Sequence, residues 1–125
     1  MKLIQLRDSF KNAFAGLNHT LRTQRNMRIH FIMAVLALII SLYFKISRLE
    51  LLMVFFSIFL VISMELFNTA VEIIIDMISS EYRIRAKIVK NVSAAAVLVS
   101  ALNALIVAYL VFADRIGSLL TGLAG

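Results

Sequence analysis

Apolar positions recur along this chain with two textures. In residues 3–25, Leu3, Leu6, Phe10, Phe14, Leu17 and Leu21 fall at steps of three and four. Arg7, Lys11, Arg22 and Arg25 occupy much of what remains. That period predicts an amphipathic helix able to lie in a membrane interface. Beyond it the apolar residues stop alternating and run together. "IHFIMAVLALIISLYF", residues 29–44, is the first run; "KISRLE", 45–50, reads as a polar turn. A long helix is predicted over 49–78, then a charged connection, "SSEYRIRAK", 79–87. Another apolar helix follows at 88–112. Residues 113–125, with Gly117, Gly122 and Gly125, read as a tail rather than a packed helix.

A bilayer's hydrocarbon core takes about 20 apolar residues to cross. Three runs approach that length, so the expected fold is an all-α membrane protein: a surface helix plus three crossings, in one domain of 125 residues. Composition agrees: 62% of residues are hydrophobic and only 16% charged, against about 25% charged in soluble domains. There is no cysteine, so disulfide and thiol chemistry are excluded, and with two histidines a structural zinc site is not expected. The N-terminus lacks the uninterrupted apolar region of a signal peptide, so the crossings are expected to be retained.

Charge orients the segments. Three crossings place Lys2, Arg7, Lys11, Arg22, Arg25, Arg28, Arg83, Arg85, Lys87 and Lys90 on one side, and Lys45, Arg48 and Arg115 on the other. The positive-inside rule makes the first side cytoplasmic, with the C-terminus outside. The net charge of +6 is thereby a topology signal, and no nucleic-acid partner is expected.

One stretch breaks the apolar pattern. "MELFNTAVEIIID", residues 64–76, carries Glu65, Asn68, Glu72 and Asp76 inside the second crossing. At about 100° per residue these four, with Thr69, share an arc of roughly 100°. Leu66, Phe67, Val71, Ile74 and Ile75 fall opposite. The polar groups form one stripe, deepest at Glu65 and shallowest at Asp76. A carboxylate at the bilayer centre costs about 2.5–3.5 kcal/mol on the insertion scale and marks a functional candidate. Pairing of the acids with Arg22, Arg25, Arg83, Lys87 or Lys90 is the structural alternative. Glu65 and Glu72 lie about 10 Å apart along the axis, too far to share one ion. They can divide labour, one as general base and the other as a ligand of Mg²⁺, which prefers oxygen donors and arrives with phosphates. That suits phosphoryl transfer from a cytosolic nucleotide to a hydroxyl at the membrane surface. On the next helix Lys87, Lys90, Asn91 and Ala94 share a face, and small residues including Ser93–Ala96, Ser100 and Ala101 suit close helix packing. Asn103 reads as an interhelical hydrogen bond. A channel lined by the stripe is disfavoured, since the stripe covers only half of the crossing. No Gly-rich phosphate loop is present, so any nucleotide site is built from helices.

"ELFNTAVEIIID" resembles the E-x-x-N-[ST]-A-[IV]-E-x-x-x-D signature of the small bacterial membrane diacylglycerol and undecaprenol kinases. "SFKNAFAGL" (9–17), "RNMRIH" (25–30) and "AKIVKNVSAAAVLV" (86–99) resemble further family segments in order, and "RNMRIH" is closer to the Gram-positive undecaprenol kinases. The resemblance implies a homotrimer in the bacterial cytoplasmic membrane, with active sites shared between subunits. It implies ATP as phosphoryl donor, Mg²⁺ as cofactor and a membrane lipid alcohol as substrate. By motif position Glu65 is the base, Glu72 a Mg²⁺ ligand, and Asn68 and Asp76 support the site. Lys90 contacts ATP phosphate, with Gln24, Glu81 and Asn91 also on the nucleotide side. Among three departures, the linker "YRIRAK" (82–87) differs from the usual Tyr-His-Pro-Leu-Ala-Lys, Gln24 occupies the place of a metal-binding glutamate, and Asn91 that of an aspartate. The last two set an alternative expectation, a weak or inactive relative that binds lipid or nucleotide.

Overall fold

The structure, a computed structural model, describes residues 2–78 and 83–124. It is all helical: α1 (Lys2–Thr23), α2 (Arg25–Phe44), α3 (Arg48–Ile78) and α4 (Arg83–Ala124). The last three are long and apolar enough to cross a membrane. At 1.5 Å per residue, the 20 residues of α2 span about 30 Å and the 31 of α3 about 46 Å. An α3 of that length exceeds a hydrocarbon core of about 30 Å, so its end near Asp76 extends beyond the core.

Local chemistry sets the boundaries. Lys45 ends α2 in the left-handed conformation (φ 50°, ψ 52°), and its N–H and that of Ile46 return to Leu42 and Ser41 carbonyls. Ser47 and Glu50 then form a capping box: the Glu50 N–H donates to Ser47 Oγ and the Ser47 N–H to Glu50 Oε1, each at 3.2 Å. Residues 45–47 are therefore the whole turn, and α3 opens at Arg48. At the other junction, Arg28 Nη1 donates to the carbonyls of Leu21 (3.2 Å) and Arg22 (2.9 Å). A cation on the last carbonyls of α1 complements its dipole and fastens the elbow at Gln24.

The segment expected as a tail is helical but unpacked. Residues 113–124 continue α4 as helix, although beyond Arg115 every described residue is exposed. Glycine in a helix costs only about 1 kcal/mol relative to alanine, and Gly117 and Gly122 stand among good helix formers with no proline. Thr121 Oγ1 also bonds the Gly117 and Ser118 carbonyls at 3.0 Å.

Within the bundle α3 packs most extensively on α4 and next on α2. Val54, Val107, Val111 and Phe112 form the tightest cluster, with Ala37, Leu38 and Phe44 of α2 against it. Outward faces stay apolar: Leu52, Phe56, Phe59, Phe67, Leu98, Leu105 and Tyr109 are all exposed. A water-soluble monomer rarely leaves so much contiguous apolar surface open; hydrocarbon removes the penalty. Helix α1 rests on the bundle by its last turns, where Leu17 and Leu21 are half-buried and Thr20 is buried. Leu3, Leu6, Phe10 and Phe14 remain exposed on its apolar stripe, as expected of a helix that lies on a membrane.

Candidate active site

The polar stripe of α3 is turned inward. Glu65, Asn68 and Thr69 are buried, Glu72 is half-buried and Asp76 is exposed. Phe67, Ile73 and Ile74 point outward. Burial within the chain falls from Glu65 to Asp76.

Three contacts tie the stripe to neighbouring helices. Asn68 Oδ1 accepts from Ser93 Oγ of α4 at 2.7 Å. Asp76 Oδ1 pairs with Lys90 Nζ at 2.6 Å. Glu65 Oε2 lies 3.7 Å from His30 Nε2 of α2, longer than a hydrogen bond. Neither His30 nor Ser93 was singled out as a site residue from sequence. His30 lies one turn beyond Arg25 and Asn26, and its place within "RNMRIH" was the signal that could have found it. Asn103 Nδ2 reaches Ser57 Oγ at 3.4 Å, the interhelical bond expected of it.

Glu65 stands apart from the other buried polar side chains. Thr20, Ser41, Thr69 and Ser100 bond carbonyls of their own helices, while Ser57 and Asn68 have partners across helices. Glu65 is 1% exposed, and among the described residues neither of its oxygens has a hydrogen-bond partner. Buried polar atoms are nearly always paired, and exceptions commonly mark chemistry. An apolar cleft of about 240 Å³ opens between α2, α3 and α4; Glu65 does not line it, but His30, 3.7 Å from Glu65, does. Ala34, Ala37, Ala101, Ala104 and Ala108 give the cleft its room, and His30 lines it.

The remaining expected site residues are more dispersed. Gln24 is half-buried at the elbow between α1 and α2, in extended backbone (φ −108°, ψ 113°), and its side chain makes no capping bond. On α4 the packed stripe runs through Lys90, Ser93, Val97 and Ser100, leaving Lys87, Asn91 and Ala94 exposed. Of the face predicted for these residues, only Lys90 is brought to α3. Packing holds for Ser93, Ser100 and Ala101, whereas Ala94–Ala96 are exposed within one chain. Glu81 lies outside the described residues, as does the Arg83 side chain. Among the described residues no cluster of three or more His, Cys, Asp or Glu side chains forms a self-sufficient metal cage.

Comparison with known proteins gives the family. The profile of the prokaryotic diacylglycerol kinase family matches residues 11–112, which include the whole polar stripe, His30 and Lys90. The chain belongs to that family. It is 34% identical over 108 residues to the undecaprenol kinase of Bacillus subtilis, covering 86% of this chain and 88% of that one. It is 35% identical over 100 residues to a diacylglycerol kinase of Synechocystis, covering 79% of this chain and 57% of that one. This is a membrane lipid kinase.

Proposed function

We propose that this kinase transfers the γ-phosphoryl group of ATP to the hydroxyl of a polyprenol, undecaprenol in preference to diacylglycerol, at the cytoplasmic membrane face. The observation that carries the reading is Glu65: a buried carboxyl group without a hydrogen-bond partner among the described residues, 3.7 Å from His30, which lines an apolar cleft. Glu65 accepts the proton of the acceptor hydroxyl. The acceptor oxygen then bonds to the γ-phosphorus as the bond to the β–γ bridging oxygen breaks, giving a lipid phosphate and ADP. Catalysis of such transfers is largely positioning and charge stabilisation.

Asn68, held by Ser93, supports the carboxyl group from one helical turn away. Lys90 approaches the nucleotide phosphates from α4, and Asp76 fixes the Lys90 ammonium. Mg²⁺, held by Glu72 with the amide oxygen of Gln24, would offset phosphate charge during transfer. The half-buried positions of Glu72 and Gln24 are compatible with this role. Assembly as a homotrimer with shared sites accords with the exposure of Asn91 and Ala94–Ala96 in the single chain. Preference for undecaprenol rests on the Bacillus relative, matched over nearly its full length, and on "RNMRIH".

The test is an acceptor panel. Purified protein in lipid bilayers receives labelled ATP, Mg²⁺ and undecaprenol, diacylglycerol or ceramide. Undecaprenyl phosphate is expected as the main product, and Glu65→Gln is expected to lower the rate by about 10²–10⁴. Full activity in Glu65→Gln would overturn the assignment of the base, and faster turnover of diacylglycerol that of the acceptor. Gln24 and Asn91 favour a second reading, a weak relative. Under it the native chain is inactive, and Gln24→Glu with Asn91→Asp restores product.

A further inference from the structure

His30 is the group that the established family membership and the proposed reaction leave without a role. It sits on α2, and its side chain is 19% exposed, so it is enclosed without being sealed. It faces two ways. On one side it lines the apolar cleft, whose other walls are almost entirely Ala, Val, Ile, Leu, Met and Phe, with Ser57 the exception. On the other side its Nε2 stands 3.7 Å from Glu65 Oε2. Ser57 already interacts with Asn103, so His30 is the polar group at which the cleft meets the carboxyl group.

Glu65 needs such a neighbour. A catalytic carboxyl group must present one oxygen to the incoming hydroxyl, and its χ angles are set by whatever its other contacts allow. Asn68 has its Oδ1 engaged by Ser93 Oγ, which leaves only its Nδ2 amide turned to Glu65, and Thr69 Oγ1 is turned back onto the Glu65 carbonyl at 2.9 Å. Neither Glu65 oxygen is held by a hydrogen bond among the described residues. A contraction of under about 1 Å brings Nε2 into hydrogen-bond range of Oε2. Catalytic hydrogen bonds are often long before substrate binds and tighten in the reacting complex.

We infer that His30 is a positioning residue for the phosphoryl transfer: its imidazole orients the Glu65 carboxyl group toward an acceptor hydroxyl delivered at the end of the apolar cleft. The inference rests on the role given to Glu65 above. His30 donates Nε2–H to Glu65 Oε2, which leaves Oε1 free to take the hydroxyl proton. His30 itself gains and loses no proton in the step. Its position on α2, with Glu65 on α3, makes the base competent only when those two helices keep their register.

The experiment uses the full chain in lipid bilayers with ATP, Mg²⁺ and undecaprenol. His30→Ala is expected to lower kcat by about tenfold or more, the usual scale for loss of an orienting partner, with the KM for ATP unchanged. His30→Gln, which keeps a donor, is expected to recover part of that loss. In a Glu65→Gln background, His30→Ala is expected to add nothing, because residues that act as a unit are not additive. Wild-type kcat in His30→Ala overturns the inference, as does an equal loss in His30→Gln or a full further loss in the Glu65→Gln background. A readout independent of turnover separates this from failure of the proposed reaction. The infrared carboxyl band that disappears in Glu65→Gln is expected to shift in His30→Ala. An unshifted band overturns the contact whether or not the acceptor is the one proposed.

Discussion

Arg115 grips Glu50 with both arms of its guanidinium group: Nη1 lies 2.7 Å from Oε2 and Nη2 3.0 Å from Oε1. The two residues are separated by most of α3, the connection and most of α4, and their meeting closes the end of the bundle remote from Glu65. Glu50 also completes the capping box of α3 through Ser47. One carboxylate thus starts a helix and ties it to the next.

Replacing Glu50 by glutamine separates these two jobs, because glutamine still serves a capping box. Glu50→Gln is expected to lower the midpoint of thermal unfolding in detergent modestly. Ser47→Ala removes the cap and leaves the ion pair, costing about 1 kcal/mol. Glu50 lies 15 residues, about 22 Å along the helix, from Glu65. Kinase activity per folded molecule is expected to be unchanged in both variants, as measured by the acceptor assay on protein of verified helicity.

The Ser93–Asn68 hydrogen bond of 2.7 Å links the stripe to α4 and is accessible to a double-mutant cycle. Ser93→Ala, Asn68→Ala and the double variant are expected to show a coupling of about 1 kcal/mol in denaturation, the net value of a typical buried hydrogen bond. Ser93→Ala is also expected to lower kcat, since it leaves Asn68 free to turn away from Glu65. Zero coupling, with kcat unchanged, counts against Asn68 as a support of the site.

Lys90 and Asp76 form a short pair between side chains that are 39% and 68% exposed. Pairs this open contribute about 0–1 kcal/mol to stability. Lys90→Met is therefore expected to leave thermal unfolding nearly unchanged while raising the KM for ATP severalfold. A large loss of stability with an unaltered KM would make the pair structural and remove Lys90 from the nucleotide site.

Gln24→Glu adds a negative charge at a half-buried position whose side chain holds no capping bond. The Mg²⁺ concentration for half-maximal activity is expected to fall severalfold, because a charged oxygen ligand binds a hard cation more tightly than an amide. A titration of activity against Mg²⁺ at fixed ATP checks this. No shift in the midpoint would place residue 24 outside the metal's coordination.

The three crossings and the stripe from Glu65 to Asp76 were determined by the sequence itself. Run length against bilayer thickness, and a period of 3.6, are local properties, and both survive intact in α2, α3 and α4. The Ser47–Glu50 capping box, S-x-x-E within the stretch 45–50 that reads as a turn, is a signal the periodic reading passes over, and it starts the helix at Arg48. The continuation of α4 past Phe112 escapes that reading too, because two glycines weigh less than the helix formers around them. Tertiary structure alone decided which groups face one another: His30 with Glu65, Ser93 with Asn68, Arg115 with Glu50. Each pair depends on the rotation and axial offset of two helices. Those are set by how many side chains interlock along a whole interface, so a periodic pattern places a residue on a face of its own helix without saying what stands opposite.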